Sequence, residues 1–97
     1  MIISFSDQGT EDIFNGKQSK QALKKCPQTL IKRAIKKLDQ IDSAVSLDDL
    51  RSPPGNKLEQ LQGHRKHEYS IRINDQYRIS FQWLGQDAKE VKIEDYH

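Results

Sequence analysis

The sequence contains a single cysteine, Cys26, so no intrachain disulfide can close and no cysteine-based zinc site can assemble. No apolar run approaches the roughly 20 residues of a membrane-spanning helix. The opening Met1-Ile2-Ile3-Ser4-Phe5-Ser6-Asp7 has neither the basic stretch nor the long apolar stretch of a secretory leader. A soluble, cytoplasmic, unprocessed protein is therefore expected. Glycine is scarce and dispersed, and no P-loop, HExxH or GxSxG pattern is present. Internal repeats and low-complexity segments are lacking. The 97 residues are expected to form a single domain, 1–97, with one core, because a domain this small hides only about two-thirds of the surface its unfolded chain exposes.

Net charge is only +2, which does not by itself point to nucleic acid. Its distribution is more informative. Between Lys17 and Lys37 stand eight Lys/Arg and no Asp/Glu. Such a run reads first as a solvated helix face and second as a contact surface for phosphates or for an acidic partner.

The chain changes period halfway. Ile3 and Phe5 alternate with Ser4 and Ser6, as in a short strand. Asp7 is placed to cap a short helix through Phe14, with Gly16 as its stop. Residues 18–26 are expected to be helical, with a break near Pro27. Leu30, Ile31, Ala34, Ile35, Leu38 and Ile41 then recur at three- and four-residue intervals, with Lys32, Arg33, Lys36 and Lys37 between them. This predicts an amphipathic helix with a basic outer face. Ser46 and Asp49 suggest a helical cap and turn. The run Arg51-Ser52-Pro53-Pro54-Gly55-Asn56 predicts a loop without regular structure.

Beyond that loop the period is two. Residues 57–61 form a modest strand, and Gly63 to His67 a turn. Tyr69, Ile71 and Ile73 alternate with Ser70, Arg72 and Asn74. Ile79, Phe81 and Trp83 alternate with Arg78, Ser80 and Gln82, and Val91 and Ile93 with Lys92 and Glu94. Short turns between them imply an antiparallel meander. The predicted architecture is α+β, with an N-terminal strand and helices on one face of the sheet. The other face, bearing Arg72, Arg78, Ser80, Lys92 and Glu94 with Lys57 or Glu59, is left open.

Arg72 and Arg78 suit an ordinary solvated strand face as well as a phosphate site, where the planar guanidinium grips two oxygens at once. Asp95, Tyr96 and His97 follow the last strand. Alone they read as a polar tail. Beside Arg78 they form an acid–base group, since histidine titrates near neutrality and tyrosine can donate a proton or stack on a base. His64 and His67 have no Cys or carboxylate at metal-ligand spacing and read as part of a solvated basic turn.

The stretch Leu50-Arg51-Ser52-Pro53-Pro54-Gly55-Asn56-Lys57-Leu58-Glu59, the hairpin Tyr69 to Phe81 (YSIRINDQYRISF) and the terminal Asp95-Tyr96-His97 together resemble the HigB branch of the RelE/ParE toxin superfamily, the plasmid maintenance killer proteins. The resemblance covers essentially the whole chain. It implies a RelE-like α+β toxin that cuts mRNA in the ribosomal A site by attack of a 2′-hydroxyl on the adjacent phosphate, with neither metal nor organic cofactor. It also implies a helix-turn-helix antitoxin of the HigA type, through which alone the toxin would reach operator DNA. The catalytic roles carry over to Arg78, Asp95, Tyr96 and His97. Glu59 stands where some relatives have a histidine, so either Glu59 or His97 is the expected general base. Lys57, Arg65, Arg72 and Lys92 are the cations expected to contact RNA. Two rival readings remain: an RNA- or ribosome-binding module that does not cleave, and a co-repressor subunit of an antitoxin–DNA complex.

Overall fold

The period-two half of the chain folds into four antiparallel strands: β1 (Glu59–Gln60), β2 (Glu68–Arg72), β3 (Tyr77–Leu84) and β4 (Asp87–Asp95), in the order β1-β2-β3-β4. The computed structural model describes residues 1–95. Three helices precede the sheet: α1 (Gln8–Phe14), α2 (Lys20–Lys25) and α3 (Ile31–Ser43).

The first two helices start where the sequence supplies a capping side chain. The Asp7 carboxylate accepts from the Thr10 N–H at 2.7 Å, and Ser19 Oγ accepts from the Ala22 N–H at 3.0 Å. A helical turn over Gln28–Leu30 leads from Pro27 into α3. Ser46 and Asp49 form a reciprocal capping box at the start of the helical turn Leu47–Arg51. The two-proline segment is not wholly irregular, as the sequence suggested. A tight helical turn forms over Pro54–Asn56, and the Ser52–Pro53 bond is cis.

Ile31, Ala34, Leu38 and Ile41 of α3 are buried against the sheet, where they meet Ile71, Ile79, Phe81, Val91 and Ile93 in one apolar cluster. Burial of a large side chain such as Phe81 contributes roughly 2–3 kcal/mol. Trp83, expected within this buried face, is only partly covered and packs against its margin, edge-on to Phe81.

The first residues run parallel to β4, with bridges at Ile2–Ala88 and Phe5–Val91. The expected alternation therefore fails there. Ile2 and Phe5 pack on the core, while Ile3 is exposed. The cause lies in β4, where Glu90 and Val91 both lie opposite Phe81 and Glu90 adopts a left-handed backbone (φ 53°). An extra residue in β4 forces its partner segment to skip one. Beyond Val91, Thr10 Oγ1 of α1 accepts from the Ile93 N–H at 3.0 Å, so a helix continues the cover of that sheet edge.

Candidate active site

The sheet face away from α3 is where the sequence placed the chemistry, but it is not open. Residues paired across strands share a face. Glu59 lies opposite Ser70, Ser70 opposite Ser80, Arg72 opposite Arg78, and Arg78 opposite Glu94. At the centre are two small residues, Ser70 and Ser80, both fully buried. The room above them is filled by two guanidinium groups.

Arg78 is 8% exposed. Its Nε donates to Ser70 Oγ at 2.8 Å, and its Nη2 donates to the carbonyls of Lys57 at 2.7 Å and Ser70 at 3.2 Å. The Glu59 carboxylate approaches the same Nη2 at 3.6 Å and is itself half-exposed. Arg78 is thus a cation whose aim is set by the backbone of the loop before β1. Lys57 adopts a left-handed conformation there (φ 46°), which turns its carbonyl toward the guanidinium.

Arg65 fills the other half. It lies in the turn Gly63–Arg65, and its guanidinium bonds Glu68 at 3.0 Å through two nitrogens, Glu94 at 2.6 Å and Ser80 Oγ at 3.4 Å. Two carboxylates share its single positive charge. The hydrogen bonds it donates to Glu68 and Glu94 raise its pKa still further. Its bonds in turn hold the Glu68 carboxyl below the usual range. Burial pushes the Glu94 carboxyl up, but the hydrogen bonds from Arg65 and Ser80 outweigh it and the net shift is downward. Arg65, expected among the RNA contacts, is engaged chiefly in an internal clamp.

The remaining expected site residues divide. Arg72 pairs with the exposed Asp75 at the end of β2. The Lys57 side chain is exposed, and Lys92, opposite Ser80, is partly exposed. Asp95 is not brought beside Arg78. It lies opposite Tyr77, one position out of phase with the arginine face, and accepts from Gln76 Nε2 at 3.1 Å. The carboxylate in phase with Arg78 is that of Glu94. Tyr96 and His97 lie outside the described residues.

Two shallow concavities adjoin Glu59. One, of about 400 Å³, is lined by Glu59, Gln60, Leu61, Gln62 and Arg65. The other, of about 370 Å³, has Leu47, Leu58 and Tyr69 among its walls. Among the described residues no group of three or more His, Cys, Asp or Glu is arranged to hold a metal ion, and no helix is long and apolar enough to cross a membrane.

The fold, an antiparallel meander with helices on one face, recurs in solved structures. The chain superposes on the YoeB-YefM complex from Staphylococcus aureus with a TM-score of 0.63 at 23% identity, covering 100% of this chain and 95% of that one. Residues 3–97 match the family described as RelE-like toxin of type II toxin-antitoxin system HigB, and the protein belongs to that family. It is 36% identical over 96 residues to Toxin HigB-1 of Vibrio cholerae serotype O1, covering 99% of this chain and 98% of that one. It is 32% identical over 97 residues to Endoribonuclease HigB of Proteus vulgaris, covering all of both chains.

Proposed function

We propose that this toxin cleaves mRNA held in the ribosomal A site, without a metal ion, and so arrests translation and growth. The observation that carries the proposal is Arg78, buried, fixed by three hydrogen bonds and accompanied by Glu59 at 3.6 Å. A preorganised guanidinium stabilises a phosphate as negative charge grows on it, an effect worth about 10²–10³ in rate for one such contact. The family and the name of the Proteus vulgaris relative support RNA as the substrate.

In the proposed reaction the 2′-oxygen attacks the adjacent phosphorus and the bond from phosphorus to the 5′-oxygen breaks. Glu59 or His97 takes the 2′-proton. Tyr96 or His97 delivers a proton to the departing 5′-oxygen, leaving a 2′,3′-cyclic phosphate and a 5′-hydroxyl. Each well-placed acid or base contributes roughly 10²–10⁴. Lys57, Arg72 and Lys92 contact flanking phosphates. Asp95, out of phase with Arg78, serves to orient the residues that follow it. The ribosome supplies much of the positioning of mRNA, so little cleavage of naked RNA is expected.

The partner is a helix-turn-helix antitoxin of the HigA type, a reading supported by the family and by the toxin–antitoxin complex among the fold's relatives. Contact with operator DNA runs through that antitoxin, and the site of action is the cytoplasm. The test is induction of the wild type and of an Arg78→Ala, His97→Ala double variant, with mRNA 5′ ends sequenced. New discrete 5′ ends with the wild type alone support cleavage. Arrest of growth by both proteins without new ends would leave a non-cleaving ribosome-binding module in its place.

A further inference from the structure

A second cationic site lies around the corner from Arg78. Lys32, Arg33, Lys36 and Lys37 of α3, with Arg72 at the end of β2, line a groove of about 390 Å³ whose remaining wall includes Pro53 and Gly55. No carboxylate lines it. Arg33 donates to the Ile73 carbonyl at 3.4 Å, and the Lys37 ammonium donates to Asn56 Oδ1, so two of the four cations of α3 are held in place. Burial, and the neighbouring Lys36 and Arg33, lower the Lys37 pKa, as expected where like charges are crowded together. Arg72 is paired with the exposed Asp75 and is the residue where the groove meets the arginine face.

We infer that this groove binds the backbone phosphates of an RNA segment other than the one being cut. The inference rests on the reading of the protein as an RNA-cleaving toxin and extends it to a second RNA contact. Two observations favour RNA over an acidic protein. First, the loop that walls the groove also anchors the proposed site. Pro53 and Gly55 face the groove, Asn56 bonds Lys37, and the next carbonyl, that of Lys57, holds Arg78. A single RNA molecule can therefore lie on both sides of the loop. Second, three of the five cations are lysines and no lining residue is aromatic. Protein interfaces are depleted in lysine and enriched in aromatic anchors, whereas backbone phosphates are met by Lys and Arg without need of apolar anchors.

Lys32 and Lys36 are both exposed, so their replacement leaves the fold intact. The test compares wild type with a Lys32→Gln, Lys36→Gln double variant, using a 2′-O-methyl oligoribonucleotide, which binds but cannot be cut. Binding is followed by fluorescence anisotropy over a range of salt concentrations. Loss of two phosphate contacts lowers the slope of log K against log salt by about 1.4 and weakens binding accordingly. Arg78→Ala, in parallel, abolishes cleavage of ribosome-bound mRNA and leaves the groove's share of the slope in place. A double variant with unchanged affinity and slope, in a wild type that does cleave mRNA, overturns the groove alone. So does a variant that keeps RNA binding and loses the antitoxin instead. A wild type that neither binds nor cleaves RNA removes the groove together with the activity on which it rests.

Discussion

Replacing Arg65 by methionine probes the clamp on the arginine face. The substitution keeps an unbranched stem of similar girth and removes the guanidinium, leaving the carboxylates of Glu68 and Glu94 side by side with no cation between them. Their side chains are only 12% and 22% exposed, and that of Arg65 is 27%. Removing one member of a fully buried ion pair costs about 3–5 kcal/mol, while exposed pairs are worth ~0–1 kcal/mol. Partial exposure puts the expected loss between these, at about 2 kcal/mol at pH 7. With a urea m-value of roughly 1–1.5 kcal/mol/M for a chain of this size, the unfolding midpoint falls by about 1.3–2 M. The pH dependence carries the diagnosis. In the wild type both carboxyls are depressed, so their contribution is complete above the ordinary carboxylate pKa and fades as pH falls through the folded values. In the variant the carboxyls repel each other, and protonation relieves them. The two stability curves must therefore converge between pH 7 and pH 4. A difference below about 0.5 kcal/mol at pH 7, or one that is the same at both pH values, would refute the clamp as a coupled, desolvated unit.

Asn56→Ala removes an amide that donates to Gln40 Oε1, the Leu50 carbonyl and the Ser52 carbonyl and accepts from Lys37, so unfolding free energy should drop by about 2–3 kcal/mol in chemical denaturation, and cleavage should fall with it as Arg78 loses its fixed loop. Gly9→Ala drives a methyl group into the Gln21 carbonyl oxygen, which overpacks the contact between α1 and α2 and should lower the thermal midpoint by the equivalent of about 1–3 kcal/mol. Lys57→Gly relieves roughly 1 kcal/mol of left-handed strain while adding unfolded-state entropy of similar size. Stability should therefore stay near wild type while mRNA cleavage drops about tenfold or more, the worth of one charge-assisted contact to phosphate.

Much of the fold was legible because its signals are local. The three- and four-residue spacing of Ile31, Ala34, Leu38 and Ile41, the reciprocal Ser46–Asp49 cap, and the alternation from Tyr69 to Trp83 each lie within a short window, and the structure contains each of these elements. The first segment misled because its phase is set some 85 residues away, by the bulge at Glu90. Alternation alone put Arg78 on the face away from α3 but did not reveal its burial there. The role of Arg65 was not legible, because its partners Glu68 and Glu94 come from different strands. One signal was available: Ser70 and Ser80 are small residues in otherwise large-residue strands, and a central sheet position left that small leaves volume for a long side chain from elsewhere. Glu94 and Asp95 are neighbours of one charge, and only the exact strand register decides which of them faces Arg78.

The anchor of Arg78 is a main-chain carbonyl, and a main-chain atom cannot be deleted by substituting the side chain that belongs to it. The side chain at position 57 can thus change without disturbing the aim of the arginine, provided the left-handed backbone is kept, and the change costs only the contact that the lysine itself would make. Conversely, the toxin can be attenuated without altering any residue that would touch RNA. Loosening the grip of α3 on Asn56 lets the loop backbone drift and takes the carbonyl away from the guanidinium. Conditional alleles, active when cool and silent when warm, are best sought at the buried Asn56 rather than on the sheet.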